Sequence, residues 1–453
     1  MRRLLLPLTV LFALALAVPA AASRTQSLTF EAPRDLMTPA NRDGALDEIN
    51  SFGVRSVRVI ITWKSVAPGA DGAQRPDFEP TDPAAYDWGE YEPLMAAIKE
   101  RGWSVLMTIS GPVPVWATKD KLDDKTRPST SAFAAFVAAV GRKFGDQVDT
   151  WAIWNEPNQP QFLRPQYAKG GRAVSPGIYR NLYLAGVRGL RKSGQGEDKI
   201  LIAETSPRGN SNVVAPLRFL RGMLCLDNAY KKRSKCSALP ADGYAHHAYT
   251  TRQGPSFKPP QRDDVTIGAL SRLTKALDRA RSAGAFTKRL PIYLTEFGIQ
   301  STPDRQQGVS LKQQVQYRAI SERIAWNNPR VVAFSQYLLT DSEPGPPGPG
   351  QFGGFESGLR FANGKPKPSL AGFRLPLAVK RTGSKVSIWG LVRPATGATS
   401  ATITYADRGG AFKTLRTVTT DARGYFTVSS AWRAGRRWNL TSEGQSGSPV
   451  ESY

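Results

Sequence analysis

Residues 150–160 read TWAIWNEPNQP. An apolar, β-prone run stops abruptly at Asn155 and Glu156, and Pro157 then withholds the backbone donor that further strand pairing would need. A carboxylate at the stop of a buried strand gains meaning only if the chain supplies companion strands, and it supplies seven more. They are SLTFE (27–31), VRSVRVIITW (54–63), WSVLMTI (103–109), KILIAE (199–204), GYAHHAY (243–249), LPIYLTE (290–296) and VVAFSQYLL (331–339). Continuous rather than alternating apolar runs suit strands buried on both faces. Between them lie amphipathic helical patterns, the clearest being SAFAAFVAAVGRKF, where Phe133, Phe136, Val137, Val140 and Phe144 share one stripe. The others are residues 91–102, 179–192, 267–284 and 310–326. Gly102 and Gly284 stand where two of these helices should end. Strand–helix alternation predicts parallel strands with crossover helices. Eight such units over residues 24–375 predict an α/β fold, a (β/α)8 TIM barrel with inserted loops. A doubly wound open sheet is the alternative, but no GxGxxG follows any strand to give it a dinucleotide site.

Outside this span the chain changes character. Residues 1–22 open with Arg2 and Arg3, continue as an apolar run from Leu4 to Val18, and end in Ala20-Ala21-Ala22. This is the pattern of a secretory signal peptide. The run falls short of the ~20 residues a membrane span needs, and no later segment is long and apolar enough, so a secreted or cell-envelope protein with no membrane span is expected. Residues 376–453 carry no helical stripe. Short β-rich runs separated by turns such as Asp407-Arg408-Gly409-Gly410 predict a small antiparallel β-sandwich. The chain has two cysteines, Cys225 and Cys236, and after export a disulfide between them is expected. The formal net charge is +24, or +22 once Arg2 and Arg3 leave with the signal. Such a field favours acidic glycans or wall polymers. No dense basic block or basic helix interleaved with aromatics singles out nucleic acid, and arginine is spread along the whole chain. A monomer is expected.

A (β/α)8 barrel rings its active site with the C-terminal ends of its strands. There the sequence puts Arg58 and Trp63 (second strand), Trp116 in the loop after the third, Asn155 and Glu156 (fourth), and Glu204 (fifth). The sixth strand brings His246, His247 and Tyr249, the seventh Glu296, and the eighth Gln336 and Tyr337. Strands four and seven face each other across an eight-membered ring, so Glu156 and Glu296 can flank one sugar. Glycosidic oxygen leaves poorly, so one carboxyl must protonate it while a second attacks the anomeric carbon or activates water. The plainer reading of the same pair is two strand-end carboxylates in structural ion pairs. Strand alternation turns one of His246 and His247 inward; sharing parity with Tyr249 assigns His247 to the site. Trp63, Trp116 and Trp154 could stack on sugar or fill the core, and Trp116 stands nearest the rim. Trp389 and Trp438 pose the same choice in the sandwich.

WNEP at a fourth strand and TEFG at a seventh resemble the acid/base and nucleophile motifs of glycoside hydrolase clan A, notably families 5 and 39. Arg58 in VRVIITW is similar to their second-strand arginine, His247-Ala248-Tyr249 to their sixth-strand His-x-Tyr, and GLRFANGKPKPSLAGF (358–373) to the stretch that closes many such barrels. The resemblance implies a retaining glycoside hydrolase acting on a β-linked polysaccharide or oligosaccharide, with no metal or organic cofactor. It implies Glu156 as general acid/base, Glu296 as nucleophile and Asn155 on the sugar 2-hydroxyl. Arg58 and Tyr249 would hold the nucleophile ionised, and His247 would line the site. Two departures stand out. The third strand reads TISGPVP where family 5 usually has a histidine, and the eighth reads SQYLLTD, with Tyr337 where many members have tryptophan. A barrel that binds glycan or cell wall without turnover is the alternative function.

Overall fold

The computed structural model describes residues 26–233, 236–348 and 350–453; the signal-peptide reading of residues 1–22 lies outside them. Among these residues the eight apolar runs form eight strands: β1 (Ser27–Glu31), β2 (Ser56–Thr62), β3 (Ser104–Ser110), β4 (Thr150–Ile153), β5 (Lys199–Thr205), β6 (Gly243–His247), β7 (Ile292–Glu296) and β8 (Val331–Tyr337). They close a parallel barrel in sequence order, which excludes the open doubly wound sheet. One principal helix follows each strand: α1 (Pro39–Ser51), α2 (Tyr91–Glu100), α3 (Thr130–Phe144), α4 (Ser175–Lys192), α5 (Pro216–Met223), α6 (Leu270–Ser282), α7 (Leu311–Trp326) and α8 (Pro368–Arg374). Gly102 and Gly284 follow α2 and α6 with φ of +63° and +67°, the left-handed turn that lets a helix stop. Although Leu217, Leu220 and Met223 put an apolar stripe on α5, the sequence patterning did not single out α1, α5 or α8. Each begins with proline, whose fixed φ suits a first helical turn.

Inside the barrel, alternation sends Ser56, Arg58 and Ile60 of β2 inward and Val57, Val59 and Ile61 into the helix layer. Leu106, Ala152, Leu201 and Ala245 form an apolar layer with Tyr293 packed against it. Arg58 is only 2% exposed, so the layer above the apolar one holds a buried cation that must find anions. Outside, α3 packs on α4 so closely that a Cβ on Gly189 would lie 2.5 Å from the Ala134 carbonyl.

After α8 come two antiparallel sheets, as the patterning predicts. One has the order β13 (Tyr425–Ala431), β10 (Lys385–Leu391), β9 (Leu377–Thr382). The other runs β12 (Lys413–Thr419), β11 (Ser400–Ala406), β14 (Arg437–Ser442), β15 (Gln445–Ser446), with β16 (Val450–Glu451) also on β14. Trp389 and Trp438 are buried between them and the barrel, filling core rather than presenting a binding face. The sheets rest on α7. Arg323 donates to the carbonyls of Ala378 (3.1 Å) and Ser387 (3.0 Å). Trp326 packs on Trp389 and Tyr425. Cys225 and Cys236 form a disulfide. Among the described residues no helix is long and apolar enough to cross a membrane.

Candidate active site

The strands deliver their polar groups by breaking strict alternation at their ends. β4 stops at Ile153, and Trp154 (φ +73°) and Glu156 (φ +38°) take left-handed backbone, rare for such residues. Trp154 therefore swings out against Phe133, while the Asn155 amide donates to Ser110 Oγ at 3.0 Å. In β5, Ala203 (φ +92°) and Glu204 (φ +45°) coincide with a register shift against β6, a bulge that re-aims Glu204 inward. A second shift, between β6 and β7, pairs His247 with Glu296.

Three carboxyl groups, those of Glu31, Glu204 and Glu296, gather around one guanidinium. Arg58 donates through Nη1 to Glu31 and to Glu296 Oε2 (3.2 Å). Nη2 donates to Asn155 Oδ1 and Glu204 Oε2 (both 2.8 Å), and Nε to Thr108 Oγ1 (3.1 Å). Thr108 in turn donates to Glu204 at 3.0 Å. Tyr249 donates its hydroxyl to Glu296 Oε1 at 2.7 Å. His247 Nδ1 lies 2.9 Å from Glu156 Oε1 and 3.6 Å from Glu296 Oε2. One imidazole nitrogen thus touches both glutamates that the sequence singled out.

The surroundings push the two carboxyls apart in acidity. Burial raises Glu156, against the hydrogen bond and charge of His247. Burial pushes Glu296 the same way, but the charges of His247 and Arg58 and the Tyr249 hydroxyl outweigh it and hold that carboxyl below its usual range. For His247, burial opposes protonation, and the two glutamates overcome it and raise the imidazole. Burial raises the Tyr249 phenol well above its usual value, with the charge of Glu296 adding, so it stays a donor. His246 turns the other way. Its Nε2–H donates to the Val265 carbonyl (2.8 Å), leaving Nδ1 to accept from Thr205 (3.0 Å).

The strand ends open into a cavity of about 460 Å³, within the ~300–1,000 Å³ usual for small-molecule sites. Arg58, Asn155, Glu156, Glu296 and Tyr337 line it. Tyr337 meets Phe355 edge-on at 5.0 Å, and Phe355 also lines the cavity. Trp116 does not reach it. That ring is 6% exposed, packed edge-on to Trp63 at 5.7 Å and donating to the Pro68 carbonyl at 3.2 Å. The rim position expected of Trp116 is corrected to a place in the aromatic core under the loop after β3. Trp63 and Trp154 are buried too. Sequence reasoning passed over Glu31, which ends β1 and lines the cavity. The signal was present, since Glu31 ends its strand just as Glu204 and Glu296 end theirs. It also passed over Phe355, hidden in a Pro/Gly-rich loop. Among the described residues no cluster of three or more metal-ligating side chains is present.

No protein-family model matches this chain, and no curated protein does. Solved structures share its fold. A glucosidase from Croceicoccus marinus aligns with TM-score 0.56 at 13% identity over 93% of this chain and 96% of that one. A GH39 enzyme from Xanthomonas axonopodis pv. citri aligns at 0.52 and 17% over 94% and 95%. A monomeric beta-xylosidase from Caulobacter crescentus aligns at 0.52 and 16% over 93% and 97%. At these identities the likeness is one of fold alone, and it takes in the barrel and the trailing β-sheets together.

Proposed function

We propose that the chain is a retaining glycoside hydrolase of the clan A type, cleaving β-linked glycans, with Glu296 as nucleophile and Glu156 as general acid/base. The observation that carries the reading is the shared His247 nitrogen. Glu156 and Glu296, 140 residues apart in sequence, approach one imidazole atom and line one cavity. Their facing oxygens, Glu156 Oε1 and Glu296 Oε2, can lie no further apart than the sum of the two contacts to that nitrogen, 2.9 and 3.6 Å. That bound lies no higher than the ~6.5 Å at which inverting pairs begin and admits the ~5–5.5 Å of retaining ones.

The acidity ordering fits two distinct jobs. Glu296, held ionised by Arg58, Tyr249 and His247, attacks the anomeric carbon. Glu156, kept protonated by burial, gives its proton to the departing oxygen as the C–O bond breaks. Glu156 then takes a proton from water, which attacks the anomeric carbon and releases Glu296. Asn155, held by Arg58 and Ser110, is available to the 2-hydroxyl. Tyr337 and Phe355 supply the apolar wall on which a sugar ring can rest. The disulfide and the signal-like residues 1–22 favour secretion, and the positive charge favours contact with acidic wall polymers. The β-sheets serve as packing or as an accessory to the barrel, and the enzyme acts as a monomer.

The test is a panel of 4-nitrophenyl β-glycosides offered to the wild type and to Glu156→Gln and Glu296→Gln. Turnover of at least one glycoside is expected, falling ~10²–10⁴-fold in either variant. A folded wild type that hydrolyses none, or variants that match it, would remove the reading.

A further inference from the structure

We infer that Glu31 is a specificity-determining residue of this site, and that the cavity is built to hold a neutral sugar at the cleavage point and to turn away a uronate. The inference rests on the glycosidase reading and goes beyond it to the class of sugar.

The argument is a count of donors. A guanidinium has five N–H groups. Those of Arg58 are all engaged by the protein: two on Nη1 by Glu31 and Glu296, two on Nη2 by Asn155 and Glu204, one on Nε by Thr108. Arg58 is the one arginine or lysine among the described residues that line the cavity. His247 is committed through Nδ1 to Glu156, and its Nε2 is buried. A substrate carboxylate entering here would find no free cation, and it would face the ionised Glu296 and, at Glu31, a carboxyl that could not also ionise. Like charges brought together in a buried site are strongly disfavoured. The positive charge of the whole chain does not reverse this, because recognition at the cleavage point is set by the groups within hydrogen-bond reach.

Glu31 supplies the complementary half. It ends β1 beside Tyr337 of β8, is 3% exposed, and lines the cavity. Its Oε2 is taken by Arg58, and Oε1 has no hydrogen-bond partner among the described residues, yet is not sealed away. Glu31 shares Arg58 Nη1 with Glu296 and lines the same cavity, so a hydroxyl of a ring held against Glu296 can reach the free Glu31 oxygen. Burial, with the charge of Glu296 adding and Arg58 opposing, pushes the Glu31 carboxyl up to about 7. Protonated or ionised, the group pairs with a hydroxyl. A carboxylate ligand would require it to give up its charge.

The experiment compares matched 4-nitrophenyl glycosides of one ring configuration, glucoside with glucuronide and galactoside with galacturonide, on wild type, Glu31→Gln and Glu31→Ala. The expected result is kcat/KM at least about 100-fold higher on a neutral glycoside than on its uronate counterpart. Glu31→Ala should lower kcat/KM on that substrate about 10–100-fold with a raised KM, and Glu31→Gln less, because its amide still pairs with hydroxyls. A uronate within tenfold of its neutral counterpart, or a folded Glu31→Ala with unchanged kcat/KM, would overturn the inference. Thermal-shift binding of 1-deoxynojirimycin and of its carboxylate counterpart to the wild type reads the same preference without turnover or variants. Stronger binding of the compound that lacks the carboxylate supports the inference even if no glycoside is hydrolysed, an outcome that would sink the glycosidase reading alone. Equal or stronger binding of the carboxylate overturns it.

Discussion

At the scale of single residues, the account turns on how one barrel gives chemically identical side chains different acidities. Glu156 is raised by burial and Glu296 is lowered by its cationic and hydroxyl neighbours. The active form is then Glu296 ionised with Glu156 protonated, so kcat/KM should fall on the acid side as the Glu296 end of the pair is protonated, and on the alkaline side as the Glu156 end ionises. In Glu156→Gln, assayed with an activated leaving group that needs no proton, the alkaline limb should vanish while the acid limb stays; a pH–rate profile with both limbs intact would contradict this. His246 gives a stability counterpart. Burial lowers it to about 4, whereas an unfolded histidine titrates near 6.5. As pH falls, the unfolded chain gains the proton first, so stability is full above about 6.5 and drains away toward about 4. The loss is about 3 kcal/mol in total. Urea unfolding at pH 7 and pH 4.5 should show a smaller loss in His246→Asn than in the wild type; equal losses would refute it. Glu156 and Glu296 stand out in the sequence because strand ends are where a barrel keeps polar groups, and Arg58 because it is a lone charge inside an apolar strand. The roles of Glu31 and Trp116 do not, because each depends on what lies opposite in space. Glu31 meets a guanidinium 27 positions away, and Trp116 meets Trp63, Phe78 and the Pro68 carbonyl.

At the scale of elements, the apolar runs marked all eight strands, since burial on both faces leaves a mark that no solvent-facing segment imitates. Which way their last residues point was not legible. Simple alternation from Lys199, Leu201 and Ala203 would send Glu204 outward, and from Tyr293 and Thr295 would do the same to Glu296. Backbone bulges reverse both, and a bulge depends on the neighbouring strand rather than on local sequence. β9 is hard to read locally for a related reason: half of it, Lys380 to Thr382, is exposed and polar, and its pairing with β10 completes it as a strand. Helix packing offers a test at this scale. A Cβ on Gly189 of α4 would meet the Ala134 carbonyl at 2.5 Å and Val137 Cβ at 2.8 Å. Alanine there should gain up to ~1 kcal/mol of helix propensity and lose ~1–3 kcal/mol to overpacking against unyielding backbone. Thermal unfolding of Gly189→Ala should therefore fall below wild type; an equal or higher midpoint would show that α3 and α4 are less tightly apposed.

For the whole molecule, the barrel closes because β1 pairs with both β2 and β8, and closure lets strands four and seven deliver carboxyls to one point. The trailing sheets are bound to this frame through α7, where Glu322 joins Arg318 of the helix and Arg393 after β10. The change from helical to purely β patterning in the last eighty or so residues was plain in the sequence. The apolar and guanidinium contacts that fasten those sheets to α7 were not, because they join segments that resemble ordinary core. The claim that depends on the complete ring is that Glu156 and Glu296 act from opposite walls on one anomeric carbon, and azide rescue tests it most directly. In Glu156→Ala, with an activated aryl glycoside, azide should enter the vacated space and displace Glu296 from the glycosyl-enzyme. Activity should be restored and a glycosyl azide of unchanged anomeric configuration should form. In Glu296→Ala, any azide product should carry the inverted configuration. No rescue in a folded Glu156→Ala that is otherwise slow on every substrate, or the inverted azide from it, would contradict the account.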